Sequence, residues 1–388
     1  MNKLAIITSH PIQYYAPVFK LIHQHKKLEI MVFYTLGEAG LHAYDPGFGR
    51  SISWDVPLLE GYNFQFEKNT AKKPGSHGFW GIKNPDLINN IKVWQADALL
   101  VFGWAYQSHL QVLIYFKNKI PVFFRGDSTL LGKSNKIKSF CKTIFLTWIY
   151  KHVDHAFYVG TNNKAYFKKF GLKNEQLTFA PHAIDNERFA KGRPAEATAL
   201  RKKLDIKPEE ILILFAGKLE PKKNPVLLSD AFENLDQQNA HLLFVGNGPL
   251  KKELKAKKEV LKTASRIHFL DFQNQLQMPV IYQACDLFCL PSCGPGETWG
   301  LAINEAMACG KAVLVSDKVG CAEDLILKGK NGVIFPSEDV AALVWKLRLL
   351  TQDKSLLEKY GSTSAEIIQS WNFDITVQAI QEKILDYV

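Results

Sequence analysis

The sequence has no long hydrophobic run, no C-x-x-C pair, no low-complexity tract and no short internal repeat. Its longest uncharged apolar stretch, residues 98–106, is about half of the ~20 residues that a membrane-spanning helix needs. The apolar opening at residues 4–7 is too short for the hydrophobic region of a signal peptide. The chain is therefore expected to be neither exported by that route nor integral to a membrane. Cysteine is sparse, six in 388 residues, which reads as reduced thiols of a cytoplasmic protein rather than a disulfide framework. His23 and His25 have no Cys or His neighbours at zinc spacing, and no G-x-S-x-G occurs. Zinc centres and nucleophilic triads are not expected.

What is present is the balance of a soluble globular protein. Hydrophobic residues make up 47% and charged residues 22%, enough apolar mass to bury sizeable cores, and the length suggests two domains. The net charge of +10 is not spread evenly. Residues 1–190 hold 23 basic and 13 acidic groups, whereas residues 191–388 hold 25 of each. Between residues 115 and 170, eleven Lys and Arg face only Asp127 and Asp154. Such a field suits a polyanion or an anionic membrane surface, or serves as a solvated lysine-rich face.

Apolar segments at 3–8, 28–34, 98–102, 122–124 and 156–159 read as buried strands with helical patterns between them, including one at 16–24. Residues 40–81 are rich in turn formers and weakly periodic, so a loop-rich region is expected there. A polar, helix-breaking stretch around 180–204, centred on Lys191-Gly192-Arg193-Pro194, marks a linker. The alternation restarts with strands at 211–216, 240–245, 267–270, 287–290, 312–315 and 332–335. Helices are expected at 225–234, 250–263, 278–284 and 301–308. Two successive doubly wound α/β domains follow, whose strand ends can face a central cleft.

Three loops of the second half carry chemistry. Gly217-Lys218-Leu219-Glu220-Pro221-Lys222-Lys223 delivers lysines to a strand's end, where they can neutralise phosphate. Val245-Gly246-Asn247-Gly248-Pro249 opens a helix, and its glycines let backbone approach a ligand. It does not complete a G-x-G-x-x-G loop, so it is no argument for NAD. The third loop runs from Pro291 through Glu297, Trp299 and Gly300 into a helix carrying Leu301 and Glu305. Amide groups of that first turn can bind a diphosphate, with Glu297 in the loop and Glu305 on the helix to bracket a ligand.

The segment from Glu297 to Glu305, with Ala306-Met307-Ala308-Cys309-Gly310 after it, resembles the E-x7-E motif of family 4 glycosyltransferases, enzymes of the GT-B fold. The loop at 217–223 is similar to that family's phosphate-clamping G-R-L-x-x-x-K stretch, and 245–249 to its glycine loop. Residues 284–292 look like its strand before the motif, and Pro181-His182-Ala183-Ile184-Asp185 like its hinge-side P-N-G-V-D. The resemblance covers about residues 180–325. It implies two Rossmann-like domains facing a central cleft. The N-terminal acceptor domain would span 1–190, completed by a returning helix at 372–388, and the nucleotide-sugar domain 191–371.

It also implies sugar transfer with retention from a nucleotide-sugar donor to a glycan or lipid-linked acceptor in cell-surface polysaccharide synthesis, with no cofactor and no obligatory metal. Glu305 would hold the ribose, Glu297 the sugar and Lys223 the diphosphate. Lys218, Gly246, Asn247, Gly248, Trp299, Gly300 and Leu301 would complete the donor site. Lys218 stands where the family usually has Arg and so lacks the bidentate fork. After the strand at 122–124 the family often has a His–Asp pair, whereas this chain reads Arg125-Gly126-Asp127-Ser128.

On chemical grounds, departure of a nucleoside diphosphate needs the cationic lysines and the helix start, and the oxocarbenium-like centre needs nearby negative charge. The acceptor proton can go to Asp127, to His10 or to the donor phosphate. Glu297, Asp127 and Lys223 are thus the catalytic candidates, and His10, Gln13, Tyr14, Arg125 and Asp127 the acceptor-side ones. Phe102-Gly103-Trp104 reads more readily as packed aromatics.

A helix at 134–153 carries Ile137, Cys141, Ile144, Phe145, Trp148 and Ile149 as a stripe beside Lys133, Lys136, Lys138, Lys142 and Lys151. It can pack on the N-terminal sheet or dock on an anionic membrane at the inner face of the cell. Two other functions stay open. A sugar-nucleotide epimerase of the same fold would act without acceptor. A nucleic-acid-binding protein would use the basic half, although no nucleic-acid motif is present.

Overall fold

A computed structural model of the chain describes all residues except 43, 133–135 and 295, and only the backbone of 136–138. Expectations involving Lys133, the helix start at Ser134, the side chains of Lys136, Ile137 and Lys138, and Pro295 lie outside the described residues. The chain divides into two units: residues 1–43, 51–182 and 373–388, and residues 44–50 and 183–372.

In chain order the elements begin β1 (Lys3–Thr8), α1 (Ala16–Gln24), β2 (Glu29–Tyr34), the short β3 (Tyr44–Asp45) and β4 (Arg50–Ser51), which pair with each other and whose residues 44–50 belong to the second unit, then β5 (Phe64–Phe66), α2 (Leu87–Trp94), β6 (Ala98–Phe102), α3 (Gln107–Phe116), β7 (Val122–Arg125), α4 (Lys136–Tyr150), β8 (His155–Tyr158), α5 (Thr161–Lys169) and β9 (Leu177–Phe179); the first unit alternates strand and helix. Its seven-stranded sheet has the order β5-β2-β1-β6-β7-β8-β9, parallel throughout. Covered on both faces, these strands bury consecutive residues rather than alternate ones. Ala5, Ile7, Leu99 and Val101 go into one cluster; Leu4, Ile6, Ala98 and Leu100 go into the other.

The second unit contains α6 (Asn186–Ala190), α7 (Pro194–Lys203), β10 (Ile211–Ala216), α8 (Pro225–Glu233), β11 (Ala240–Val245), α9 (Lys251–Lys258), β12 (Ile267–Leu270), α10 (Met278–Ala284), β13 (Leu287–Leu290), α11 (Leu301–Ala308), β14 (Ala312–Ser316), α12 (Ala322–Leu325), β15 (Gly332–Phe335), α13 (Val340–Thr351) and α14 (Lys354–Ile368). Its sheet runs β12-β11-β10-β13-β14-β15, again all parallel. Both sheets therefore reverse their winding once, between β1 and β6 and between β10 and β13. Ligands of open α/β sheets bind beyond the strand ends at such a reversal.

Residues 180–204 are not a plain linker. They form α6 and α7, and the division falls at 182/183 rather than near 190, because α6 is tied into the second unit. Asn186 donates to the carbonyls of Ile368 (3.0 Å) and Trp371 (3.3 Å), and Arg188 donates to the side chain of Gln275 at 2.8 Å. Pro194 at the start of α7 is a helix-initiating residue there, not a breaker. The last helix, α15 (Phe373–Leu385), buries Val377, Ile380 and Ile384 in the same cluster as Phe19 and Ile22 of α1. Among the described residues no helix is long and apolar enough to cross a membrane.

Candidate functional site

The loops after β10 and β13 flank the reversal point of the second sheet, and their lysine and carboxylate meet there. Lys223 ends the short turn Pro221–Lys223 after β10, and its Nζ lies 2.5 Å from Oε2 of Glu297 in the loop after β13. Ser292 donates to the same oxygen at 3.0 Å. Both partners are largely buried, so the carboxylate is desolvated but fully paired, which such a charge requires.

Backbone packing decides where these groups stand. Gly246 (φ 136°) approaches the carbonyl of Gly217 so closely that a Cβ would lie 2.0 Å from its oxygen; a Cβ on Gly248 would lie 2.4 Å from that of Leu219. Leu219 and Asn247 complete the seam with a backbone hydrogen bond of 2.9 Å. Gly246 and Gly248 thus hold the β11 loop against the lysine loop. Asn247 directs its side-chain oxygen to Lys251 (3.1 Å) and to the Phe272 amide (3.3 Å).

The Glu297 loop is clamped from behind. Gly320 donates its amide to the Glu297 carbonyl at 3.1 Å, and Cys321 to that of Trp299 at 3.0 Å. Gly300 then turns left-handed (φ 98°) and starts α11 with Leu301, with no side chain capping the helix. Four residues on, Glu305 is buried and accepts a hydrogen bond from the Tyr282 hydroxyl at 2.9 Å.

Two expected donor residues are engaged otherwise than their assignment suggests. Trp299 is buried: its indole N–H donates to Asn304 at 2.9 Å and its ring lies 5.2 Å from that of Trp371, so its side chain packs the interior. Lys218 pairs with Asp45 at 2.9 Å and lies 5.2 Å from the Phe48 ring centroid. Residues 44–50 thus belong to the second unit, with Phe48 edge-on to Phe272 at 4.9 Å. Burial works against the Asp45 anion, but the hydrogen bond and charge of Lys218 outweigh it and hold the carboxyl below its ordinary range.

In the first unit, Arg125 does not present its guanidinium to solvent. It is buried at the end of β7 and donates to the carbonyls of Ala180 (2.8 Å) and Pro181 (2.9 Å). Its part is to fix the chain before residue 183. Asp127 is half-exposed, with a carboxylate oxygen 3.8 Å from Nε2 of His182, whose ring stacks on Tyr15. Burial lowers the His182 pKa below its ordinary value, although Asp127 pulls the other way. His10 pairs its Nδ1 with the Ser9 hydroxyl at 2.9 Å in the loop after β1, and Gln13 and Tyr14 follow it, partly exposed. Phe102 and Trp104 are packed aromatics.

Sequence reasoning passed over four residues. Ser292, Tyr282 and Asp45 reach the site from 5, 23 and 173 positions away from their partners, and nothing local marks them. His182 was visible within the segment Pro181-His182-Ala183, but its pairing with Asp127 needs the fold.

Residues 196–366 match the family described as "Glycosyl transferases group 1", a span that holds Lys218, Lys223, Glu297 and Glu305. The match is confined to this segment, less than half of the chain, and is a likeness to that family. Similar curated proteins include "D-inositol 3-phosphate glycosyltransferase" of Streptomyces bingchenggensis, 28% identical over 53% of this chain and 47% of its own length. Another is "UDP-Gal:alpha-D-GlcNAc-diphosphoundecaprenol alpha-1,3-galactosyltransferase" of Escherichia coli, 27% identical over 55% of each. The chain spans about half the length of these relatives. Among solved structures, Anabaena Alr3699/HepE in complex with UDP superposes over the whole of both chains with a TM-score of 0.76 at 20% identity. Sucrose-phosphate synthase from Thermosynechococcus elongatus has a TM-score of 0.76 at 16% identity, over 100% of this chain and 99% of its own. The fold around the group 1 segment is GT-B.

Proposed function

We propose that the chain transfers a sugar, with retention at the anomeric carbon, from a nucleoside diphosphate sugar to a glycan or lipid-linked acceptor in cell-surface polysaccharide synthesis. The observation that carries this reading is the buried Lys223–Glu297 pair at the reversal point of the second sheet. A diphosphate arriving there competes for Lys223. The ammonium group and the amides of the uncapped α11 start then stabilise the charge that develops as the nucleoside diphosphate leaves. Glu297, released towards the sugar, supports its hydroxyls and the positive charge at the reacting carbon. Glu305, oriented by Tyr282, takes the ribose hydroxyls. Countercharge comes from lysine and backbone, so no metal is assigned a role.

Asp127 with His182 in the first unit supplies an acid–base pair for the acceptor hydroxyl. The UDP complex of HepE supports UDP-sugars as the first donors to try, and the undecaprenol-linked substrate of the E. coli relative supports a lipid-linked acceptor. The reading also carries an inner-face, cytoplasmic location.

The test is a thermal-shift panel of UDP-, GDP-, ADP- and CMP-sugars, with Glu305→Ala as control, followed by NMR of the anomeric configuration of product. One donor class should stabilise the wild type and not the variant, and product should keep the donor's configuration in the presence of EDTA. A panel with no hit overturns the reading. Sugar interconversion without acceptor would replace it with an epimerase.

A further inference from the structure

The turn between β3 and β4 packs on loops of the second unit, whereas the chain before and after it belongs to the first. One side chain gives the turn its shape. Oδ1 of Asp45 accepts the amides of Gly47 (2.8 Å) and Phe48 (3.2 Å), and the Asp45 carbonyl accepts that of Gly49 at 2.8 Å. Short acidic side chains close turns in this way. The other carboxylate oxygen, Oδ2, lies 2.9 Å from Nζ of Lys218. A single carboxylate therefore closes the turn and fastens it to the lysine of the β10 loop.

The rest of the turn closes around the same lysine. A Cβ on Gly47 would stand 2.5 Å from Cδ of Lys218, and the Phe48 ring centroid lies 5.2 Å from its Nζ. Phe48 meets Phe272 of the β12 loop edge-on at 4.9 Å, and the Arg50 guanidinium lies 5.1 Å over that Phe272 ring. Because the Phe272 amide donates to Asn247 at 3.3 Å, the turn is joined to the loops after β10 and β12 directly and to the β11 loop through Phe272.

These contacts engage a cation that a phosphate would use. A diphosphate and the Asp45 carboxylate are both anions, and like charges drawn to one ammonium repel each other. The carboxylate acts as a built-in substitute for phosphate. Its hold is modest: the Lys218 and Asp45 side chains remain exposed by 27 and 26%, so solvent screens the pair and an incoming anion can replace it.

We propose that residues 44–50 form an autoinhibitory strap, which holds Lys218 through Asp45 in the free protein and is displaced when a nucleoside diphosphate binds. The inference rests on the reading that a nucleoside diphosphate sugar is held by these loops, and adds that its affinity is limited by a competitor within the chain. When the competent state is only partly populated, apparent affinity falls by that fraction. Removing the competing charge should therefore tighten binding. A carboxylate that served only to orient Lys218 for phosphate would weaken binding when removed, so the sign of the change separates the two roles.

The test is calorimetric titration of the full chain with UDP, GDP, ADP and CDP, and with the matching nucleosides. Asp45→Asn keeps an oxygen for the Gly47 and Phe48 amides but loses the charge. It should bind the tightest of the four diphosphates about threefold to fivefold more tightly than the wild type, with no gain for the nucleoside. Phe48→Ala loosens the turn without touching the ion pair and should shift affinity in the same direction. In the wild type, chymotryptic cleavage after Phe48 should speed up when the diphosphate is added and stay unchanged with the nucleoside. Circular dichroism checks the fold of both variants; if Asp45→Asn unfolds, Phe48→Ala and the wild-type cleavage decide. Equal or weaker binding by the variants, or slower cleavage with diphosphate present, overturns the strap and leaves the donor reading standing. Binding of none of the four diphosphates to any of these proteins overturns the donor reading, and the strap with it.

Discussion

At the scale of single residues, the two lysines of the β10 loop differ in their partners. Lys223 is largely buried against Glu297, whose carboxylate Ser292 also bonds, and on the proposed reading this ammonium meets the leaving diphosphate. Lys218 is held by Asp45 and lies over Phe48. Removing a charge from a dry site costs more than removing one from a pair that solvent reaches, and the Lys223–Glu297 pair is the more buried of the two. Lys223→Ala is expected to lower kcat/KM by about a hundredfold or more. Lys218→Ala should cost about tenfold or less, because Asp45 competes for it in the free protein. Steady-state rates of both variants with one donor check the order. The residue types were legible in sequence, since lysines after a strand and two glutamates eight apart stand out. Their partners were not: Tyr282 and Asp45 carry no local signal, and Trp299, which resembles a ligand contact in the motif, packs on Trp371 instead.

At the scale of elements, glycines at close backbone approaches shape the site. The 217–224 and 246–249 loops lie backbone to backbone, and Gly320 holds the Glu297 loop. A Cβ on Gly320 would lie 1.7 Å from the Thr298 carbonyl oxygen, a clash only a shift of the loop relieves. Gly320→Ala is therefore expected to destabilise the fold by about 1–3 kcal/mol and to abolish stabilisation by the donor. Urea unfolding and donor thermal shift read the two effects separately. Strand segments were legible because parallel strands buried on both faces are short continuous apolar runs, as at 211–216 and 240–245. Helix ends were less so: a helix expected over 250–263 stops at Lys258. The stretch at 180–204 forms α6 and α7 because Asn186 and Arg188 find distant partners that outweigh local helix-breaking residues.

At the scale of the whole molecule, stability should depend on pH through buried histidines. His109 bridges the Thr35 hydroxyl (2.8 Å) and the Gly103 carbonyl (2.9 Å), and burial lowers its pKa from 6.5 to about 4. Burial lowers His155 and His268 to about 4 as well. The unfolded chain binds these protons near pH 6.5 and the folded chain only near 4, so the unfolded state holds more protons between those values. The melting temperature is expected to be highest above pH 6.5 and to fall as pH drops towards 4; a flat profile across that window would contradict the assignment. By itself the amino-acid sequence determined the alternation of strands and helices, the doubly wound class, the uneven charge and the lysine- and glycine-bearing loops at the strand ends. All of these follow from local periodicity and composition. Only the tertiary structure decided which side of α4 is core and which is open, that Arg125 serves the backbone of Ala180 and Pro181, and that Asp45 holds Lys218. Those outcomes depend on contacts between residues far apart in the chain, whose desolvation and pairing energies exceed any local preference.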